Sequence, residues 1–132
     1  MILEDYLAQN AQRYSSKLAV VCEDRFMTYA QLWQEVEKMS KSLSRNDVHC
    51  FRSSQDIDFL VTYLATHLAG GVAAPLEHGM PESLFQEVKA RLQASDIPDG
   101  IADILYTTGT TGQSKGVMVS HRALIADAEN LI

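Results

Sequence analysis

The stretch Tyr106-Thr-Thr-Gly-Thr-Thr-Gly-Gln-Ser-Lys-Gly-Val-Met-Val-Ser-His121 is the most informative part of this chain. The apolar run Ile104-Leu105-Tyr106 leads into it and Val117-Met118-Val119 follows, which predicts two strands joined by a loop. Residues 107–115 contain four threonines, two glycines and one lysine. Glycine lets backbone N–H groups approach an anion closely, threonine hydroxyls donate hydrogen bonds, and lysine adds a positive charge. The composition therefore predicts a loop that binds a polyphosphate, and a plain Thr/Gly turn between strands is the alternative.

The loop does not have the order of a Walker A motif, in which Gly-Lys-Ser/Thr follows four residues after the first glycine. Here Lys115 precedes Gly116, and Gly112 lies three residues before the lysine. The order instead resembles the phosphate-binding signature of the adenylate-forming (AMP-binding) enzymes, which reads Tyr/Phe-Thr-Ser/Thr-Gly-Ser/Thr-Thr-Gly-x-Pro-Lys-Gly-Val. Ser114 replaces the proline of that pattern. This change removes a fixed φ angle but no phosphate donor.

The resemblance extends over most of the chain. The family that it points to includes acyl-CoA synthetases, peptide-synthetase adenylation domains and luciferases. Residues 3–14 resemble the family's first helix, 18–32 its strand pair and following helix start, and 59–75 its helix, glycine turn and strand. The short spacer between Pro75 and Ile104 is similar to that of the o-succinylbenzoate–CoA ligase-like members. The family's aromatic-Gly-x-Thr-Glu and Thr-Gly-Asp segments have no counterpart here. We therefore expect residues 1–132 to be the amino-terminal portion of an adenylation domain, without its carboxy-terminal parts and inactive alone.

The chemistry that the resemblance implies is the activation of a carboxylic acid by ATP to an acyl-adenylate, followed by transfer of the acyl group to a thiol. The residues that it assigns to the ATP phosphates are Thr107, Thr108, Gly109, Thr110, Thr111, Gly112 and Lys115. A magnesium ion is expected on the phosphates. The parent enzyme is interpreted as an acyl-CoA ligase of fatty or aromatic acid metabolism that uses coenzyme A. The phosphopantetheine of a carrier protein is the alternative thiol acceptor. The alternative function is a non-catalytic nucleotide-binding or interaction module that reuses the fold.

The fold class follows from the alternation of helical and strand patterns, which predicts an α/β protein. We expect a mostly parallel sheet with flanking helices, as in part of the large amino-terminal domain of an acyl-CoA synthetase. Thr28 and Gln31 predict a capping box before a helix. The apolar face predicted for that helix consists of Leu32, Val36, Met39 and Leu43. The phosphate loop begins where a strand ends, which is where such sheets bind ligands.

Composition and charge restrict the function classes further. A length of 132 residues fits one domain, and a net charge of −6 argues against nucleic-acid binding. The acidic start Met-Ile-Leu-Glu-Asp lacks the basic region of a signal peptide. Polar residues and Gly70-Gly71 interrupt the apolar run that begins at Phe59, so we expect no transmembrane segment and a cytoplasmic protein.

The cysteines and histidines show no pattern of metal ligands along the chain. Cys22 and Cys50 are expected to be reduced thiols. The possible metal-binding histidines His49, His67 and His78 are scattered along the sequence without ligand spacing, so we predict no metal site. His121 is expected to be a packed or solvated side chain at the start of a helix. Apolar surface on that last helix suggests a possible homodimer.

Overall fold

The computed structural model describes residues 1–108 and 114–130, which form helices around a central sheet and one separate hairpin. In chain order the elements are α1 (Leu3–Arg13), β1 (Leu18–Cys22), β2 (Arg25–Thr28), α2 (Tyr29–Ser40), β3 (Val48–Arg52), α3 (Ile57–Leu68), β4 (Val72–Leu76), α4 (Glu82–Gln93), β5 (Ile101–Thr108), β6 (Ser114–Ser120) and α5 (His121–Asn130).

The central sheet has the strand order β3-β4-β5-β6, and its first three strands are parallel. β6 pairs with β5 in the antiparallel sense, so the sheet is mixed. β1 and β2 form a separate antiparallel hairpin. The predicted α/β fold class is therefore confirmed, with one antiparallel strand at the edge of the sheet.

Two helices, α2 and α3, begin after residues whose side chains cap free backbone N–H groups. The Thr28 hydroxyl accepts a hydrogen bond from the Gln31 N–H at 3.2 Å, and the Gln31 side chain accepts one from the Thr28 N–H at 3.0 Å. The predicted capping box of α2 is thus confirmed. The Asp56 carboxylate caps α3 in the same way, by accepting from the Phe59 N–H at 2.8 Å. α2 ends at Ser40, so Leu43 packs against the core from beyond the helix rather than from within it.

Two apolar clusters stabilise this arrangement. The first lies between the central sheet and α4, and it includes Leu76, Val88 and Ile104. The second lies between α2, α3 and the hairpin of β1 and β2, and it includes Val36 and Ile57. Leu105, Val117 and Met118 of β5 and β6 are exposed. Within the described residues, no helix has both the length and the apolar character needed to cross a membrane.

Two adjacent residues of β5 give a direct test of the first cluster. Ile104 is 1% exposed, whereas its neighbour Leu105 is 45% exposed. We expect Ile104→Ala to lower the free energy of unfolding by about 2–5 kcal/mol, because it leaves a cavity in the core. Leu105→Ala is expected to change it by roughly 0.5 kcal/mol or less. Urea denaturation of the two variants measures both values, and equal losses would contradict the packing described here.

Candidate functional site

The strands that flank the predicted phosphate loop, β5 and β6, meet at the carboxyl edge of the parallel strands. β5 ends there at Thr108, and β6 begins at Ser114 and returns beside it. The strands pair with Tyr106 opposite Gly116, Thr107 opposite Lys115 and Thr108 opposite Ser114. The predicted arrangement of two paired strands flanking the loop is therefore present, and the pairing brings the backbones of Thr107 and Lys115 together.

The individual phosphate ligands stay predictions. Gly109, Thr110, Thr111 and Gly112 lie outside the described residues. For Thr107, Thr108 and Lys115 the structure gives the strand and the pairing alone. What the structure gives is the place of the flanking residues: Thr108 ends β5 and Ser114 begins β6, at the edge where α/β sheets bind ligands.

The base of this hairpin is tied to the rest of the fold. The Tyr106 hydroxyl accepts a hydrogen bond from the Arg91 guanidinium at 3.2 Å, and Arg91 also contacts Glu87 at 3.2 Å on the same helix, α4. A Cβ atom at Gly116 would lie 3.2 Å from the Ile104 side chain, which is a tight contact. These contacts fix where the two strands leave the core, and therefore where the loop starts and ends.

The neighbouring strands end at the same edge. A cavity of about 420 Å³ lies beyond β3 and β4, and its lining residues are Ser53, Ser54, Gln55 and His78. Arg52 at the end of β3 donates to the backbone carbonyls of His78 and Met80 at 2.9 and 2.6 Å. It also pairs with Glu82 at 3.0 Å. Arg52 thus joins the segments that follow β3 and β4, next to the strand that carries the predicted loop.

A group of polar and ionisable side chains, three of them buried, comes together elsewhere in the fold. His67 of α3 contacts two carboxylates: its Nδ1 lies 3.0 Å from Glu4 Oε2, and its Nε2 lies 2.7 Å from Asp103 Oδ1. The Tyr63 hydroxyl donates to the other Asp103 oxygen at 2.6 Å. His121 packs edge-on against His67, with 5.0 Å between ring centroids. The five residues, which we call the buried polar cluster, come from α1, α3, β5 and α5.

The electrostatics of the cluster assign different charges to its two histidines. Burial alone would lower the pKa of His67, but hydrogen bonds to Asp103 and Glu4 and their charges outweigh it and raise this pKa to about 9. His67 is therefore an imidazolium between two carboxylates at neutral pH. Burial, and then the nearby charge of His67, lowers the pKa of His121, which is neutral under the same conditions.

The scattered positions of the histidines in the sequence gave no sign of this cluster. Glu4 and Asp103 are 63 and 36 residues away from His67. A weaker local signal does exist, because Asp103 interrupts the apolar run Ala102–Leu105 and His67 interrupts an apolar helix. Charged residues within apolar runs need partners when they are buried. The expectation that His121 is a packed side chain agrees with its position against His67.

Solved structures of adenylate-forming proteins resemble this fold. The amino-terminal subdomain of Klebsiella oxytoca NpsA, solved with 3-hydroxybenzoyl-AMSN, superposes with a TM-score of 0.76 at 20% identity, over 92% of this chain and 41% of that chain. O-succinylbenzoate coenzyme A synthetase (MenE) from Bacillus subtilis, solved with AMP, gives a TM-score of 0.71 at 18% identity, over 96% and 45% of the two chains. At these identities the similarity establishes the fold, which is that of the amino-terminal subdomain.

The sequence also matches curated proteins and one enzyme family. The nonribosomal peptide synthetase agiA of Aspergillus flavus is 25% identical over 94% of this chain, which spans 2% of that protein's length. The AMP-binding enzyme family matches residues 7–98 and 82–132, which together include the paired strands and the loop between them. The predicted resemblance is confirmed by this match, and the chain belongs to the AMP-binding enzyme family.

Proposed function

We propose that the protein carrying these 132 residues as its amino-terminal portion uses ATP to convert a carboxylic acid into an acyl-adenylate. The observation that carries the proposal is that β5 and β6 flank the Thr/Gly/Lys signature of residues 106–117 at the carboxyl edge of the sheet, in a member of the AMP-binding enzyme family. Among the solved structures with this fold, NpsA was solved with 3-hydroxybenzoyl-AMSN and MenE with AMP. This supports the same type of ligand for the present chain.

The proposed role of the loop is to hold the triphosphate in position. Gly109 and Gly112 allow backbone N–H groups to approach the phosphate oxygens, and the threonine hydroxyls and Lys115 add further donors. Hydrogen bonds to a charged acceptor contribute roughly 1.5–3 kcal/mol each, so a few suffice for binding. A magnesium ion, when bound, neutralises phosphate charge. The carboxylate then attacks the α-phosphorus, and pyrophosphate leaves with the electron pair of the broken P–O bond.

The proposal also names the thiol that receives the acyl group in the second half-reaction. We infer coenzyme A, as in the acyl-CoA ligases, with the phosphopantetheine of a carrier protein as the competing acceptor. The synthetase MenE supports the first and the peptide synthetase agiA supports the second. Supplying each thiol to the enzyme that holds the acyl-adenylate, and measuring which one receives the acyl group, decides between them.

The exposed apolar side chains of β5 and β6 are proposed to contact further parts of the protein or a second copy.

Carboxylate-dependent exchange of pyrophosphate into ATP tests the first half-reaction. We expect the full-length protein to catalyse exchange with at least one member of a panel of aliphatic, aromatic and amino acids. The 132-residue chain alone is expected to show none, because the family's aromatic-Gly-x-Thr-Glu and Thr-Gly-Asp segments have no counterpart in it. ATP binding without exchange for any acid in the full-length protein would instead favour a non-catalytic nucleotide-binding module.

A further inference from the structure

The buried polar cluster contains three donor atoms that a single metal ion can reach. One oxygen of Glu4 and one nitrogen each of His67 and His121 all lie within 4.8 Å of one another. Glu4 and His67 are fully buried, whereas His121 is half-buried, so only one of the three donor residues can be reached by water. The donors come from α1, α3 and α5, and none of them belongs to the predicted phosphate loop.

Two of these donor residues have a buried polar atom with no hydrogen-bond partner among the described residues. They are Glu4, through Oε1, and His121, through Nδ1. Burying such an atom without a partner is unfavourable, so each one calls for an explanation. The other carboxylate oxygen of Glu4 already faces His67 Nδ1. A cation that both Glu4 oxygens and His121 Nδ1 contact would give each of these two atoms a partner.

The donor types suit zinc. Zinc bonds to nitrogen and oxygen are about 2.0–2.2 Å long, so two tetrahedral ligand atoms lie roughly 3.2–3.6 Å apart. The 3.0 Å between Glu4 Oε2 and His67 Nδ1 is a hydrogen-bond distance, slightly shorter than that separation, so the two atoms must move apart by a few tenths of an ångström to bind one ion. Two imidazoles and one carboxylate are a common zinc ligand set, and the fourth position is filled by water.

The second ring nitrogen of His67, Nε2, is hydrogen-bonded to a carboxylate, as is usual for a metal-binding histidine. Its Nε2 lies 2.7 Å from Asp103 Oδ1, while Tyr63 donates to Asp103 Oδ2. A carboxylate in this place fixes the ring orientation and leaves Nδ1 directed towards Glu4. An access path is also present, because His121 lines a cavity of about 510 Å³ shared with Met1, Ile2 and Ser120.

We propose that Glu4, His67 and His121 form a zinc-type metal site, which joins α1, α3 and α5 and in which Asp103 orients His67. The site goes beyond the proposed nucleotide activity and does not depend on it. In the metal-free protein His67 donates to Glu4, and the metal replaces that proton on Nδ1.

The test is calorimetric titration of the chelator-stripped 132-residue chain with zinc sulfate. We expect one equivalent to bind and the melting temperature to rise with it. Cobalt(II) is expected to give the visible absorption bands of a four-coordinate ion. Glu4→Gln and His121→Ala should abolish the stoichiometric binding, and Asp103→Asn should weaken it by about 10–100-fold, as loss of a supporting partner does.

The matched control is His78→Ala, which removes a histidine that lies outside the cluster and is expected to bind zinc as the unchanged chain does. Circular dichroism establishes that each variant is folded. If Glu4→Gln does not fold, the half-buried His121 decides, through His121→Ala and His121→Gln. Absence of stoichiometric binding to the folded chain, or binding that persists in the folded His121 variants, overturns the proposal.

Discussion

Lys115→Ala in the full-length protein is expected to lower carboxylate-dependent ATP–pyrophosphate exchange on the order of 100-fold or more, the effect of losing one positioned donor to a developing charge. Lys115 is the only charged residue among positions 106–117, so no neighbour within the loop can replace it. The expected loss lies in turnover as well as in the KM for ATP, because the charge is needed most as pyrophosphate leaves.

Two control variants separate this role from general effects. Lys38→Ala removes an exposed lysine of α2 and is expected to leave exchange unchanged. Ser114→Pro restores the residue of the family pattern without removing a phosphate donor, so exchange is expected to persist. Unchanged kinetics of Lys115→Ala would remove this residue from the role that the sequence assigns to it.

His67→Ala is expected to cause the largest loss of stability, about 3–5 kcal/mol, because it leaves two buried carboxylates without their counter-charge. Glu4 and Asp103 are 0% and 4% exposed, so water does not solvate them in its place. Urea denaturation in a buffer that contains EDTA measures this loss independently of any metal.

Thr66→Ala is the matched control, since Thr66 is the preceding residue of α3 and is 1% exposed. Its hydroxyl donates to the Thr62 carbonyl at 2.7 Å, a local bond whose loss is expected to cost about 0.5–1.5 kcal/mol. Equal losses for the two variants would mean that His67 contributes through packing and not through its two carboxylates.

Local sequence signals were sufficient for most of the fold. The capping box of Thr28 and Gln31 fixes the start of α2 through contacts only three residues apart, and such contacts can be read without tertiary structure. The same holds for Gly70, whose φ of +83° ends α3, and for the two apolar runs that became β5 and β6. Leu43 was assigned to a helix face because its spacing fits, although α2 ends before it.

The buried polar cluster could not be found in this way. Its contacts depend on how β5 is placed beside β4 and on where α1 and α5 pack, which no local pattern specifies. The prediction of no metal site rests on the spacing of the histidines along the chain, whereas the fold brings His67 and His121 together with Glu4. The phosphate loop shows the opposite case. Its order of residues is specific enough to name a ligand, although four of its seven assigned residues lie outside the described ones.

The most direct test of the central claim is a crystal structure of the full-length protein with a non-hydrolysable ATP analogue. We predict that the phosphate oxygens lie within hydrogen-bonding distance, about 2.7–3.2 Å, of backbone N–H groups, hydroxyls and the ammonium group of residues 107–115. A nucleotide bound elsewhere, with Lys115 paired to a protein carboxylate, would contradict the account.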